Sequence, residues 1–365
     1  MKDEPERKRR IVRLGCCAAW VALFWGFYAV AFRGSELRAQ PQDPPDAQAG
    51  DEDANPLIAA TFEPHPDWVA SVAFSPDGNT VAAGSYQSLT LWNAAEKKAT
   101  AVLPLKTGMC QATAYSPDGK LLAAGGYQTI TLWNVETRQL AQTLKGHGGD
   151  VTGLAFGGDG RLYSAGDDET ARQWDVAAGK ELRAFSGFRR PVTGVALSAD
   201  GKMLAAVSGD STRPTKSGDV RLWETAEGTE LVTLKGHAQG VLCVAFSPDG
   251  KQLATGSYDE TIKIWDPHSG KEIRALQGHS RPVNCLAFSP DGKWLASGDG
   301  GRFVGGNMLR LWNAATGKPA AEVEAHAGRV TALAFSADGK LLATSSYDKS
   351  VRLWHVEKLT AAAKD

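Results

Sequence analysis

Histidine, a hydroxyl residue and aspartate recur together along this chain. The sets are His147, Ser164 and Asp168; His237, Thr255 and Asp259; and His326, Thr344 and Asp348. These are the residue types of a nucleophile, its general base and the carboxylate that orients the base. The first chemistry to weigh is therefore acyl transfer by an activated hydroxyl. Each set, however, stands in register with a tryptophan: Trp174, Trp265 and Trp354. Recurrence in step with a large apolar side chain points to structure rather than catalysis. No nucleophile elbow, zincin helix, phosphate loop or dinucleotide glycine pattern accompanies the sets. The sequence thus predicts no catalytic residue, no metal ligand and no cofactor.

The elements that carry these residues are read best from residues 236 to 279, which open and close on Gly-His. Four short apolar runs lie inside: Val241 to Phe246, Gln252 to Gly256, Thr261 to Trp265 and Glu272 to Leu276. Each has the length and the β-branched or aromatic content of a strand. Ser247-Pro248-Asp249-Gly250 separates the first two. Proline presets φ, aspartate bonds its own backbone and glycine supplies φ > 0, so this is a tight turn. The unit reads as a four-stranded antiparallel meander that needs neighbours to stack on.

The neighbours follow. The turn tetrad recurs at Ser75, Ser116, Gly157, Ser198, Ser247, Ser289 and Ser336. A tryptophan closes the third run each time: Trp92, Trp133, Trp174, Trp223, Trp265, Trp312 and Trp354. The spacings between them are 41, 41, 49, 42, 47 and 42, which suits a propeller blade rather than a helical solenoid. On these residues the chain resembles the WD-repeat (WD40) family over roughly residues 57 to 356, as a membrane-anchored or exported, bacterial-type member. The resemblance implies an all-β, seven-bladed β-propeller. It also implies that each His, hydroxyl, Asp and Trp form a structural hydrogen-bond tetrad: His147, Ser164, Asp168, Trp174 in blade 3; His237, Thr255, Asp259, Trp265 in blade 5; His326, Thr344, Asp348, Trp354 in blade 7. Blade 6 offers His279, Ser297 and Trp312 with its acid undetermined. Blades 1, 2 and 4 have Ala83, Ala124 and Ala206 at the hydroxyl position. Blade 1 keeps His65, blade 2 lacks the histidine and blade 4 has Phe188 there. Joint loss is expected, because a buried polar group without its partner costs about 1–3 kcal/mol. Residues 57 to 62 are a spare strand at one end, and the tail after Trp354 is a poor one. The ring is expected to close by giving residues 57 to 62 to the last blade.

Ahead of the repeats come two other segments. Residues 1 to 33 hold a basic start and an uncharged run from Leu14 to Phe32. At 1.5 Å per residue that run spans a hydrocarbon core of about 30 Å. It reads as a transmembrane helix with a cytoplasmic N-terminus and the propeller outside, or as a signal helix cleaved near Ala39. Residues 34 to 56, rich in Pro, Gln and acids, read as a disordered tether. The propeller domain is 57 to 365. Its Lys+Arg and Asp+Glu balance leaves the whole chain at a formal net charge of −1, so nucleic acid is not an expected partner. Cys110, Cys243 and Cys285 read as packing residues, not a bridge.

The functional expectation is a non-catalytic scaffold, a monomeric propeller that binds a protein or peptide. The alternative class is an enzyme or ligand binder at the channel mouth. The resemblance places second-to-third-strand loops on a top face where partners dock. Blades 4 and 6 carry the long ones, with Arg213, Lys216, Arg302 and Phe303. Tyr86, Tyr127, Tyr258 and Tyr347 lie in the matching turns. Trp68, Asp150, Arg190, Arg281 and Arg329 sit just before first strands. Tyr, Trp and Arg are enriched in interface hot spots, and the docking patch is expected over blades 4 to 6.

Overall fold

The computed structural model describes residues 55–63, 65–301 and 306–361. Contacts divide the chain into Met1–Arg38 and Ala39–Asp365, and every described residue falls in the second unit. The run at 14–32, and the tether up to residue 54, lie outside the described residues. Among the described residues no helix is long and apolar enough to cross a membrane. Asn55 and Pro56 belong to the folded domain, not to the tether. Asn55 Oδ1 accepts from Leu57 N–H and its carbonyl from Ile58 N–H, a turn that starts the first strand.

The described chain is almost entirely β. Seven antiparallel four-strand units follow one another; the first six each use four successive strand segments, and the last takes its fourth from the start of the domain. In repeat 5 these are Val241–Phe246, Leu253–Ser257, Ile262–Trp265 and Glu272–Leu276, within a residue of the sequence expectation. Repeats 2 and 3 share one long strand, Leu140–Phe156, which joins their strands into one seven-stranded sheet. The Ser-Pro-Asp-Gly turns form as their chemistry dictates. In repeat 5 the Ser247 hydroxyl donates to Asp249 Oδ1 at 2.7 Å and accepts from Gln252 N–H at 2.9 Å, while Gly250 takes φ 70°.

Each sheet alone leaves two wet faces, so the apolar cores lie between sheets. One core joins Val207, Val220 and Leu222 of repeat 4 to Leu253 and Trp265 of repeat 5. The next joins Ile262 and Ile264 to Leu295 and Trp312. The same scheme holds from each sheet to its successor, and all seven tryptophans are buried. It also holds from last to first: Phe62, Val351 and Leu353 pack with Val69, Val81 and Trp92. First strands neighbour one another in the same order, Ser71–Phe74 lying against Val330–Phe335.

The expected loan of a strand is present. Ile58–Phe62 pairs antiparallel with Val351–His355 of the last sheet, Ile58 opposite Trp354 and Phe62 opposite Val351. A short helix, Val356–Ala361, follows and buries Val356 and Leu359. First strands of repeats 3 to 7 carry a bulge just before a small residue, as at Val241/Cys243 and Val283/Cys285. The reason is close approach. A Cβ on Gly153 would lie 3.1 Å from Gly194 Cα in the next first strand. Cys243 and Cys285 are free thiols there, Cys110 is a free thiol just ahead of the strand Ala112–Tyr115, and burial pushes Cys110 and Cys285 up to about 12.

Candidate functional site

The His–hydroxyl–Asp sets form as drawn. In repeat 3, Trp174 Nε1 donates to Ser164 Oγ over 2.8 Å, and that oxygen lies 2.7 Å from His147 Nε2. His147 Nδ1 is 3.0 Å from Asp168 Oδ1. An indole N–H only donates, so the hydroxyl accepts it and points its own proton at Nε2. Nδ1 is then the protonated nitrogen, facing the carboxylate. Repeat 5 has the same chain, 2.8 Å from Trp265 to Thr255, 2.8 Å to His237 and 2.9 Å to Asp259. Repeat 7 gives 2.9, 2.8 and 2.9 Å through Trp354, Thr344, His326 and Asp348. The glycine before the histidine is needed for room: a Cβ on Gly236 would lie 2.9 Å from the Trp265 ring.

Repeat 6 completes a fourth set with a residue the sequence did not single out. Asp299 Oδ2 lies 2.6 Å from His279 Nδ1, and Ser297 Oγ lies 2.7 Å from His279 Nε2 and 2.8 Å from Trp312 Nε1. The acid follows its hydroxyl by two residues, inside the strand Trp294–Asp299, where the other repeats place it four on, in the turn. Its other oxygen accepts from Met308 N–H at 2.7 Å.

These hydroxyls are fully buried and each is committed to an indole and an imidazole, so no substrate carbonyl reaches them. Burial would raise Asp168, but the Gly148 N–H, Thr170 and His147 more than offset it and hold the carboxyl at about 2. Asp259 and Asp348 are likewise held well below the ordinary range against burial, by their histidines and by Thr261 and Ser350. Burial lowers His147 and His326 more than their carboxylates raise them, which keeps both imidazoles neutral. The sets are structural ties between each repeat's entry loop, its second strand and its tryptophan.

Repeats 1, 2 and 4 replace the tie in three ways. In repeat 2, Trp133 Nε1 donates to Thr131 Oγ1 at 3.2 Å. In repeat 4, Phe185 and Phe188 pack on Trp223 at 5.4 and 5.6 Å. In repeat 1, Phe62 lies flat on Trp92, 4.7 Å between ring centres, but His65 Nδ1, His65 Nε2 and Trp92 Nε1 have no partner. Repeats 1 and 2 also have one residue fewer between second and third strands. The missing position is the one that carries the carboxylate elsewhere.

The edge where second strands turn into third strands holds the residues expected to meet a partner. Four aromatics stand in solvent there. Tyr86 and Tyr127 are 49% and 53% exposed at the tips of those shortened turns, each followed by a glutamine with positive φ. Trp68, 46% exposed, stacks on Tyr347 at 4.5 Å, and the Arg329 guanidinium lies 5.8 Å from the Tyr347 ring. These four occupy repeats 7, 1 and 2. On repeats 4 to 6 the picture is more closed. Tyr258 is half-buried, with Gly240 packed against its ring and its N–H bonded to the Gly240 carbonyl. Arg213 and Lys216 are exposed in a run of turns tied down by Gly218 N–H on Gln239 O. Arg190 and Arg281 are half-buried at first-strand entries. Arg302 and Phe303 lie outside the described residues. Between repeats 2 and 3 the edge is acidic: burial, then Asp150 and Asp168, raise Asp167 to about 6. Among the described residues no group of three His, Cys, Asp or Glu is placed to hold a metal ion.

The model for the WD domain, G-beta repeat, matches the chain seven times, at residues 58–93, 104–134, 138–175, 179–224, 228–266, 270–313 and 317–355. No curated protein matches it. The matched segments cover most of the sequence and carry the tryptophans and hydrogen-bonded sets described above, and the chain belongs to the WD40 repeat family.

Proposed function

We propose that the chain is a seven-bladed propeller acting as a non-catalytic scaffold, and that a protein or peptide docks on the turn-bearing edge of its sheets. WD40 repeats generally mediate protein–protein interaction, which supports the class. The observation that carries the site is the exposed aromatic arc Tyr347, Trp68, Tyr86 and Tyr127. Rigid, exposed aromatic rings on neighbouring repeats offer apolar area at little cost in side-chain entropy. Arg190, Arg213, Lys216 and Arg281, with Tyr258, extend the surface over repeats 4 to 6. They favour a partner with acidic groups beside apolar side chains.

Immobilised full-length chain is the bait that tests this. Trp68→Ala with Tyr347→Ala should weaken capture of the partner by about 2 kcal/mol, roughly 30-fold, with an unchanged melt. Changing Lys120 and Lys340, which lie in the Ser-Pro/Ala-Asp-Gly hairpins at the other ends of the sheets, should do little. Loss of binding in the lysine variant with full binding in the aromatic one would place the partner on the wrong edge for this proposal.

The second part of the proposal is placement. The uncharged run from Leu14 to Phe32 anchors the chain with its repeats on the non-cytoplasmic side of a membrane. Full-length chain should then pellet with membranes and resist high-salt extraction. N-terminal sequencing of the mature product separates the alternatives: a start near Gln40 means a cleaved signal and a released domain.

A further inference from the structure

The last sheet lacks an ion pair that four of the others have. In repeats 3 to 6 a cation on the third strand is paired with a glutamate on the fourth: Arg172–Glu181, Arg221–Glu230, Lys263–Glu272 and Arg310–Glu322. The last sheet borrows its fourth strand, Ile58–Phe62, and that strand carries no acid. Arg352 turns instead to the Ala325 carbonyl at 2.9 Å. The borrowed strand is an edge, irregular between Ile58 and Ala60. Its hold is the ladder to Val351–His355, the stack of Phe62 on Trp92, and two contacts just past it. These are His65 N–H on the Lys349 carbonyl at 3.3 Å and the Trp68–Tyr347 stack.

His65 stands where the strand leaves the join. It is 3% exposed, tilted against Trp92 at 5.6 Å, and neither ring nitrogen has a partner. Ala83 supplies no hydroxyl, and the turn lacks the residue that carries the acid. The ionisable groups on the surrounding elements are Glu63 and Asp67 in its own loop, Tyr86 on the adjoining strand, and Asp348 and Lys349 in the turn of the last sheet. None bonds its ring, and the Asp348 oxygens are taken by His326 and Ser350. A second proton on this imidazole would therefore place a charge and two N–H donors where no acceptor waits.

We propose that the join between Ile58–Phe62 and the last sheet is an acid-sensitive latch with His65 as its trigger. Above the ordinary histidine range the ring is neutral, fits its apolar site and the latch is shut. As pH falls the solvated ring takes a proton and the buried one resists. Burial alone lowers His65 to about 4. The folded form is thus the weaker base. The closing free energy is complete above pH 6.5 and is lost as pH falls toward 4. At pH 5 the opening equilibrium rises about 20-fold relative to neutral pH. Burial lowers His147 and His326 in repeats 3 and 7 as well, but there a carboxylate at Nδ1 offsets part of the cost of a second proton, and His65 has no such partner.

Amide hydrogen exchange on the full-length chain, at pH 7 and pH 5 and corrected for intrinsic rates, tests the latch. Peptides covering residues 57–63 and 351–355 should lose protection about 20-fold at pH 5 relative to pH 7, while peptides covering 253–265 of repeat 5 hold theirs. His65→Phe and His65→Gln, which cannot titrate, should both abolish the difference. The wild-type His65 ring should titrate by NMR near pH 4 in the closed form. Three results overturn the proposal: equal pH dependence in both variants, simultaneous loss of protection in repeat 5, or a His65 titration near 6.5.

Discussion

Replacing His279 with alanine is expected to lower stability by about 3–5 kcal/mol, more than the same change in any other repeat. The reason is the carboxylate left behind. The Asp299 side chain is 0% exposed and its imidazole partner is gone. One N–H, from Met308, remains on it. In repeat 5 the Asp259 side chain is 11% exposed and keeps bonds from Ala238 N–H and Thr261. There His237→Ala should cost about 1–3 kcal/mol. His65→Ala should cost less than either in polar terms, since no hydrogen bond is broken. Urea melts of the three variants order them. Adding Asp299→Asn to His279→Ala should recover part of the loss by removing the stranded charge. Equal losses at His279 and His237, or no recovery in the double variant, would mean that the buried carboxylate is not the source of the cost.

The second large effect belongs to the borrowed strand. Deleting residues 1 to 62 should cost at least as much as a large core truncation, about 3–5 kcal/mol. It removes Phe62 from Trp92, takes Ala60 out of the core between last and first sheets, and bares the edge of Val351–His355. A bared edge invites pairing between chains, so the truncated protein should also associate. Deleting residues 1 to 54 leaves the strand and its Asn55 turn intact and should keep the wild-type melt. Thermal melts with light scattering compare the two. Identical behaviour would show that the strand contributes nothing to closure.

The repeat plan was legible because its signals are local. Ser247, Asp249 and Gly250 need only each other to make a turn, so the tetrad could be counted along the chain and the strand ends followed. The fourth hydrogen-bonded set was not legible. Asp299 sits two residues from its hydroxyl, and only the fold shows that a carboxylate reaching from inside the strand meets the same imidazole nitrogen. The same limit hid the Trp68–Tyr347 stack. Its partners are separated by nearly the whole length of the repeats and meet only because the last sheet packs on the first. Tyr258, expected as an exposed anchor, is half-buried because Gly240 packs against its ring. Residue type alone carries no burial.

The loan of Ile58–Phe62 to a strand that ends at His355 sets an order of events during synthesis. The first strand of the domain to leave the ribosome pairs with the last to be made, about 300 residues later. At cellular elongation rates of 5–20 residues per second that is a wait of about 15 to 60 seconds. Through that interval six sheets can stack in sequence, each on its predecessor, while the seventh has neither its strands nor its borrowed edge. The growing array carries two unpaired ends, one apolar face at each. Among the described residues, closing them is the pairing of strands farthest apart in sequence and the last that can form. An open array with exposed ends therefore persists for tens of seconds of synthesis. A truncation or stall between His326 and Val351 yields a chain whose six finished repeats have nothing to close on.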